Sequence, residues 1–238
     1  MFSNIEDYFC SIANSSGLYG LFSVPGLGKR ELLMYVSHLI VREKRGIPLV
    51  FSLELSAEQW KSEMENYGLA PECVMICDRA CPSIETIREE VNKNAPSVIL
   101  IDHLELIDDK EIICKLKEIA EDYHVPIIVS SHLTRRSGDN DPVYRRPDMI
   151  DSLYVYRRLY GGTRTIDSFF DDMGQFNDIL LLHRCHDWYR GIGVGHAFNI
   201  CNEAELKIIS DWHSQPYSLY FDYSVIMNNG KAFHQQAL

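Results

Sequence analysis

Ser23-Val24-Pro25-Gly26-Leu27-Gly28-Lys29-Arg30 is the stretch on which the reading of this chain turns. An apolar run from Leu18 to Phe22 leads into it, and Leu32, Leu33, Val36, Leu39 and Ile40 follow at helical spacing. The layout is strand, glycine-rich turn and helix, with Gly-Lys at the turn, as in a phosphate-binding loop. In such a loop, backbone N–H groups and the positive end of the helix face an anion, and a lysine reaches its terminal phosphates. Two positions depart from the pattern G-x-x-x-x-G-K-S/T. Ser23 stands at the first glycine, and Arg30 stands where a hydroxyl would ligate Mg²⁺. Taken alone, the stretch also fits an ordinary glycine-containing strand-to-helix turn, so the flanking chain has to separate the two.

Working outward, the helix closes on Arg42-Glu43-Lys44-Arg45-Gly46, with a C-terminal glycine. Ile47 to Ser52 is an apolar strand that runs on to Glu54. Ser56-Ala57-Glu58-Gln59 is a capping-box start for a helix carrying Trp60, Met64 and Tyr67 on one face. A strand over Cys73–Cys77 follows, then a helix begun by Ser83 with Ile84, Ile87 and Val91 in period. Ser97 to Asp102 is continuously apolar up to its terminal acid, as a central parallel strand must be. A helix from about 109 to 123 and a strand over Val125–Ser130 complete at least four strand–helix alternations. The expected fold is therefore α/β, a mostly parallel doubly wound sheet. Asp178 to His183 adds a strand, and Glu205–Ser210 with Tyr217–Tyr223 make a C-terminal β-hairpin at the sheet edge. Residues 1–17 read as mixed and polar. The expectation is one domain over residues 1–238.

Composition narrows the function classes. The chain has 238 residues, 46% hydrophobic and 24% charged, which is ordinary for a globular protein with a sizeable core. No apolar run reaches the roughly 20 residues of a membrane helix, and the acidic start MFSNIEDYFCS lacks a signal peptide's basic flank and apolar centre. A cytoplasmic location with no membrane partner is expected. The net charge of −11 argues against strong non-specific DNA binding by the whole surface. Cys73, Cys77 and Cys81 are spaced as a possible metal run, but no paired C-x-x-C accompanies them and their setting is apolar, so strand cysteines are the reading.

From about 133 to 172 the alternation breaks. Arg135, Arg136, Arg145, Arg146, Arg157 and Arg158 are interleaved there with Tyr144, Tyr154, Tyr156 and Tyr160. Basic residues among aromatic ones suit single-stranded nucleic acid. They suit a solvated loop or an oligomer contact equally well.

Polar residues collect at the predicted strand ends: Lys29 after the first, Glu54 after the second, Asp102 ending a central one and His132 after the next. In open α/β sheets this is where ligands bind. With these, the sequence resembles the C-terminal RecA-like motor domain of DnaB-type replicative helicases. The segments that carry the resemblance are Val24 to Lys29, Phe51-Ser52-Leu53-Glu54-Leu55-Ser56-Ala57-Glu58-Gln59, Val98 to Leu106, Glu111 to Val129, and Ser131-His132-Leu133-Thr134-Arg135. It extends over nearly the whole chain, while the family's N-terminal collar domain and linker helix find no counterpart.

The resemblance implies a P-loop NTPase fold, ATP (or ADP) held by Pro25, Gly26, Gly28, Lys29 and Arg30, and chemistry at Glu54, Asp102 and His132. Glu54 would be the base, Asp102 the acid that holds Mg²⁺, and His132 would take the sensor position. It also implies contact with single-stranded DNA, through Arg135 and its neighbours, and a homo-oligomeric ring. The departures fall on the catalytic set. Arg30 replaces the Mg²⁺ ligand, His132 replaces a Gln, Glu105 replaces the Gln after the Walker B acid, and Ser210 and Trp212 stand at the trans Lys-x-Arg pair. Loss of such a finger costs on the order of 10³–10⁵ in rate in related systems. Two readings follow: a DnaB-like ATPase tied to DNA unwinding, or a non-catalytic nucleotide- or partner-binding relative. An Arg30 that pairs with Glu54 or Asp102 would close the site to nucleotide.

Overall fold

The computed structural model describes residues 2–23, 26–132, 174–186, 200–210, 216–224 and 226. Its elements run α1 (Ile5–Ile12), β1 (Gly17–Ser23), α2 (Lys29–Arg42), β2 (Pro48–Ser52), α3 (Ala57–Asn66), β3 (Met75–Cys77), α4 (Ile84–Asn94), β4 (Val98–Asp102), α5 (Ile112–Asp122), β5 (Pro126–His132), β6 (Asp178–His186), β7 (Ile200–Ile209) and β8 (Tyr217–Asp222). The strands form one eight-stranded sheet in the order β3-β2-β4-β5-β1-β6-β7-β8. Pairing is parallel from β3 through to β6, and antiparallel from β6 to β7 and from β7 to β8.

Strand periodicity explains the two-sided core. Along β1, Tyr19 and Leu21 face one layer while Leu18 and Phe22 face the other. Along β4, Leu100 parts from Ile99 and Ile101 in the same way. The first layer holds α1, α2 and α3, packed on Leu182, Leu206 and Leu219 of the C-terminal strands, with Trp60 and Tyr35 fully buried. The second holds α4 and α5. The sheet is apolar on both faces, which is why its central strands lack polar alternation.

Caps fix the helices. Ser56 and Gln59 make the reciprocal capping box, and Ser83 accepts from the Thr86 backbone. Residues 1–17, read as mixed and polar, contain α1 instead. Asn4 caps it, and Ile5, Tyr8, Phe9 and Ile12 are buried at i, i+3, i+4, i+7. The strand expected at Cys73–Cys77 is shorter, because Pro71 opens a 3₁₀ turn over Pro71–Cys73. The edge hairpin is present as β7 and β8. No helix among the described residues is long and apolar enough to cross a membrane.

Candidate functional site

Parallel register brings the polar strand ends together. Ser23 is level with His132 across β1 and β5, and Ser52 is level with Asp102 across β2 and β4. Beyond Ser23 the chain turns through Gly26, φ 83°, and Gly28, φ 99°, a left-handed geometry natural to glycine. Gly28 is the N-cap of α2 and offers no side chain, so the first N–H groups of the helix stay available to an anion. A Cβ on Gly28 would lie 2.1 Å from the Tyr223 hydroxyl, which donates to the Gly28 carbonyl. The residue after β8 thus buttresses the turn, and the Arg184 guanidinium sits 3.7 Å over the Tyr223 ring.

Lys29 is buried, and its Nζ donates to the Ser23 carbonyl at 3.3 Å and to Ser23 Oγ at 3.1 Å. Burial pulls its pKa down to about 8, with Glu105 and Asp102 pulling the other way. Ser23, a mismatch in the motif, is therefore a partner of the lysine. Asp102 is fully buried. Arg30 Nε donates to its Oδ2 at 2.9 Å and Ser130 Oγ to its Oδ1 at 2.8 Å. Burial alone would raise its pKa. The His103 imidazole close by, followed by the Arg30 guanidinium, outweighs this and brings it down to about 2. The other end of the same guanidinium donates to Glu54 Oε2.

One arginine therefore bridges the acid expected to hold Mg²⁺ and the acid expected to act as base. Both Asp102 oxygens are engaged by protein donors, and a fixed cation faces them. This donor set does not fit Mg²⁺, which needs free oxygens in near-octahedral array.

His103 follows β4 with φ 66°, Glu105 lies in a 3₁₀ turn over Leu104–Leu106, and His132 ends β5. His132 Nδ1 is 3.1 Å from Glu105 Oε1, which also accepts from the His132 backbone N–H at 3.3 Å. His103 Nε2 is 3.4 Å from Glu54 Oε1. Despite the cost of burial, the neighbouring His132, Ser131 and backbone N–H groups hold the Glu105 pKa down to about 2. A cleft of about 310 Å³ opens over these groups, lined by Gly26, Gly28, Lys29, Arg30, Glu31, Glu54, His103 and His132.

Of the residues expected at the site, Gly26, Gly28, Lys29, Arg30, Glu54 and His132 line this cleft, with Asp102 behind Arg30. Pro25, Arg135, Arg136, Arg145, Arg146, Arg157, Arg158 and Trp212 lie outside the described residues, and Ser210 is exposed just past β7. Sequence reading missed His103, Ser130 and Tyr223. The first two carry a readable signal, since each is a polar residue at the C-terminal end of a central strand. Tyr223 carries none, because its contact with Gly28 spans 195 positions.

No protein-family model and no curated protein matches the chain. Solved structures do. One, an ATPase domain, superposes with a TM-score of 0.64 at 17% identity, covering 88% of this chain and 81% of that one. Another, a DnaB-like replicative helicase solved with attention to its interactions with primase, superposes with a TM-score of 0.63 at 16% identity. It is covered over 56% of its length, by 87% of this chain, which thus spans little more than half of it. The fold is that of the DnaB-like helicase ATPase domain, a RecA-like sheet with a C-terminal antiparallel extension.

Proposed function

We propose that this chain is a P-loop domain that holds nucleotide phosphates without Mg²⁺ and does not turn the nucleotide over. The observation that carries this reading is Arg30 bridging Asp102 and Glu54: the pairing expected to close the site takes the metal's place instead, and a cleft still opens over Gly26, Gly28 and Lys29. A guanidinium supplies a permanent positive charge beside the α2 N-terminus, where Mg²⁺ would otherwise neutralise phosphate. It also occupies the carboxylate that would orient an attacking water, so general-base assistance is lost. Lys29 and the first N–H groups of α2 would hold ATP or ADP through its phosphates, in the cleft over Gly26 and Gly28.

The fold suggests a setting beside a DNA-unwinding apparatus, with the domain acting as a regulatory or scaffold module rather than a motor. Contact with single-stranded DNA would then fall to the arginines between 133 and 172. Unchanged affinity for single-stranded DNA after neutralising Arg145, Arg146, Arg157 and Arg158 together would remove that part of the proposal.

Steady-state ATP hydrolysis with and without single-stranded DNA tests the central part. Turnover should stay at the background of the Glu54→Ala variant in both conditions, while labelled ADP binds and Lys29→Ala abolishes its binding. DNA-stimulated turnover that both substitutions abolish would establish a working motor and overturn the proposal.

A further inference from the structure

His103, Glu105 and His132 come from the C-terminal ends of two adjacent parallel strands, β4 and β5. One ligand atom from each lies within 4.8 Å of the others. The imidazole rings have centroids 4.6 Å apart, inclined by 65°. In a tetrahedral zinc site with bonds of about 2.0–2.1 Å, ligand atoms stand roughly 3.3 Å apart. Small side-chain rotations would therefore close this cluster around an ion.

Two further observations point to a ligand. His103 Nδ1 and Glu105 Oε2 are buried without a hydrogen bond of normal geometry, although Asp102 Oδ1 lies 3.1 Å from the former. Buried polar atoms of this kind are few in folded proteins, and a bound ion is one of the arrangements that satisfies them. His103 also holds a left-handed backbone at φ 66°, which costs a non-glycine residue about 1–3 kcal/mol. Its N–H is pinned to Ser130 Oγ at 3.1 Å, and Glu105 is pinned to the His132 backbone. The cluster is thus oriented by main-chain bonds as well as by its own side chains, as outer-shell contacts orient metal ligands.

We propose that His103, Glu105 and His132 bind a divalent transition-metal ion of the Zn²⁺ class in the wall of the cleft, beside the position that Arg30 has taken. Two imidazoles and a carboxylate suit Zn²⁺ and its neighbours, whereas Mg²⁺ prefers an all-oxygen octahedral shell. Three protein ligands leave a fourth position for water or a ligand oxygen. His103 and His132 both line the cleft, so that position opens toward it. The site stands whether or not the cleft takes nucleotide. The competing arrangement is a bare His132–Glu105 ion pair that holds no metal.

Titration of the chelator-treated 238-residue chain with Co²⁺, in the absence of nucleotide, separates the two. The metal site predicts one Co²⁺ per chain, with the absorption of a nitrogen- and oxygen-ligated centre, displaced by Zn²⁺ and untouched by excess Mg²⁺. His132→Gln and His103→Asn, the latter chosen because asparagine tolerates positive φ, should each weaken binding by at least about 10–100-fold. Both should keep the circular dichroism and melting of a folded protein. Replacing Cys73, Cys77 and Cys81 together by Ser should leave binding unchanged. Absence of Co²⁺ binding, parental affinity in either histidine variant, or a sulfur-to-cobalt absorption lost in the cysteine variant would each overturn the proposal. Labelled ADP titrated in chelator reports on the nucleotide reading separately, so either can fail alone.

Discussion

At the scale of single residues, Arg30 places a permanent charge one position past the P-loop lysine and anchors it on a carboxylate with no solvent exposure. Removing one member of a buried pair strands the other, so Arg30→Thr should cost about 3 kcal/mol of stability in urea denaturation. A loss under about 1 kcal/mol would mean that Asp102 does not depend on Arg30. In the proposed phosphate site Lys29 would set the pH range. Its ammonium, with a pKa near 8 in the free protein, is the form that attracts phosphate. ADP should therefore bind about tenfold more weakly at pH 9 than at pH 7, and the decline should be absent in Lys29→Arg, whose charge persists. A flat profile in the parent protein would show that Lys29 does not touch the phosphates.

At the scale of elements, the P-loop is held from outside its own strand–helix unit. Tyr223, just past β8, donates to the Gly28 carbonyl and occupies the space a Cβ there would need. Gly28→Ala adds a left-handed alanine to that clash and should cost more than about 3 kcal/mol. Tyr223→Phe should cost about 1 kcal/mol, the loss of one buried hydrogen bond to a Gly28 carbonyl that still accepts from the Leu32 N–H, and should weaken ADP binding. A thermal melt of each variant reads both effects, and an unperturbed Gly28→Ala would refute the buttress. The same contact shows what local sequence conveys. β1, α2, β2, β4 and β5 were legible because apolar runs, a capping box and glycine punctuation all lie within a few positions of one another. α1 was missed because its apolar face, Ile5, Tyr8, Phe9 and Ile12, is diluted by Glu6, Asp7 and Ser11 in a short window. Arg30 was legible as a misfit. That it reaches both Asp102 and Glu54 depends on the register of β2 with β4, which pattern does not reveal.

At the scale of the whole molecule, one sheet carries every group of the site at one end, so the chemistry and the core are coupled through Asp102 and Glu105. Both have folded pKa values near 2, below their unfolded values of 3.8 and 4.5. Their stabilisation is fully present above about pH 4.5 and is lost as pH falls toward 2. It amounts to about 2 kcal/mol for Asp102 and about 3 kcal/mol for Glu105. Glu63, whose pKa burial raises, works in the opposite sense. Urea midpoints should therefore fall steeply between pH 4.5 and 2.5, and a pH-independent midpoint over that range would contradict the buried carboxylate pairs. The proposed phosphate site is one in which arginine takes the place of the metal. Its most direct test is calorimetric titration of the unmodified chain with ADP, once in excess Mg²⁺ and once in EDTA. The same dissociation constant, within about twofold, is expected in both; binding that appears only with Mg²⁺ would contradict the replacement of the metal by Arg30.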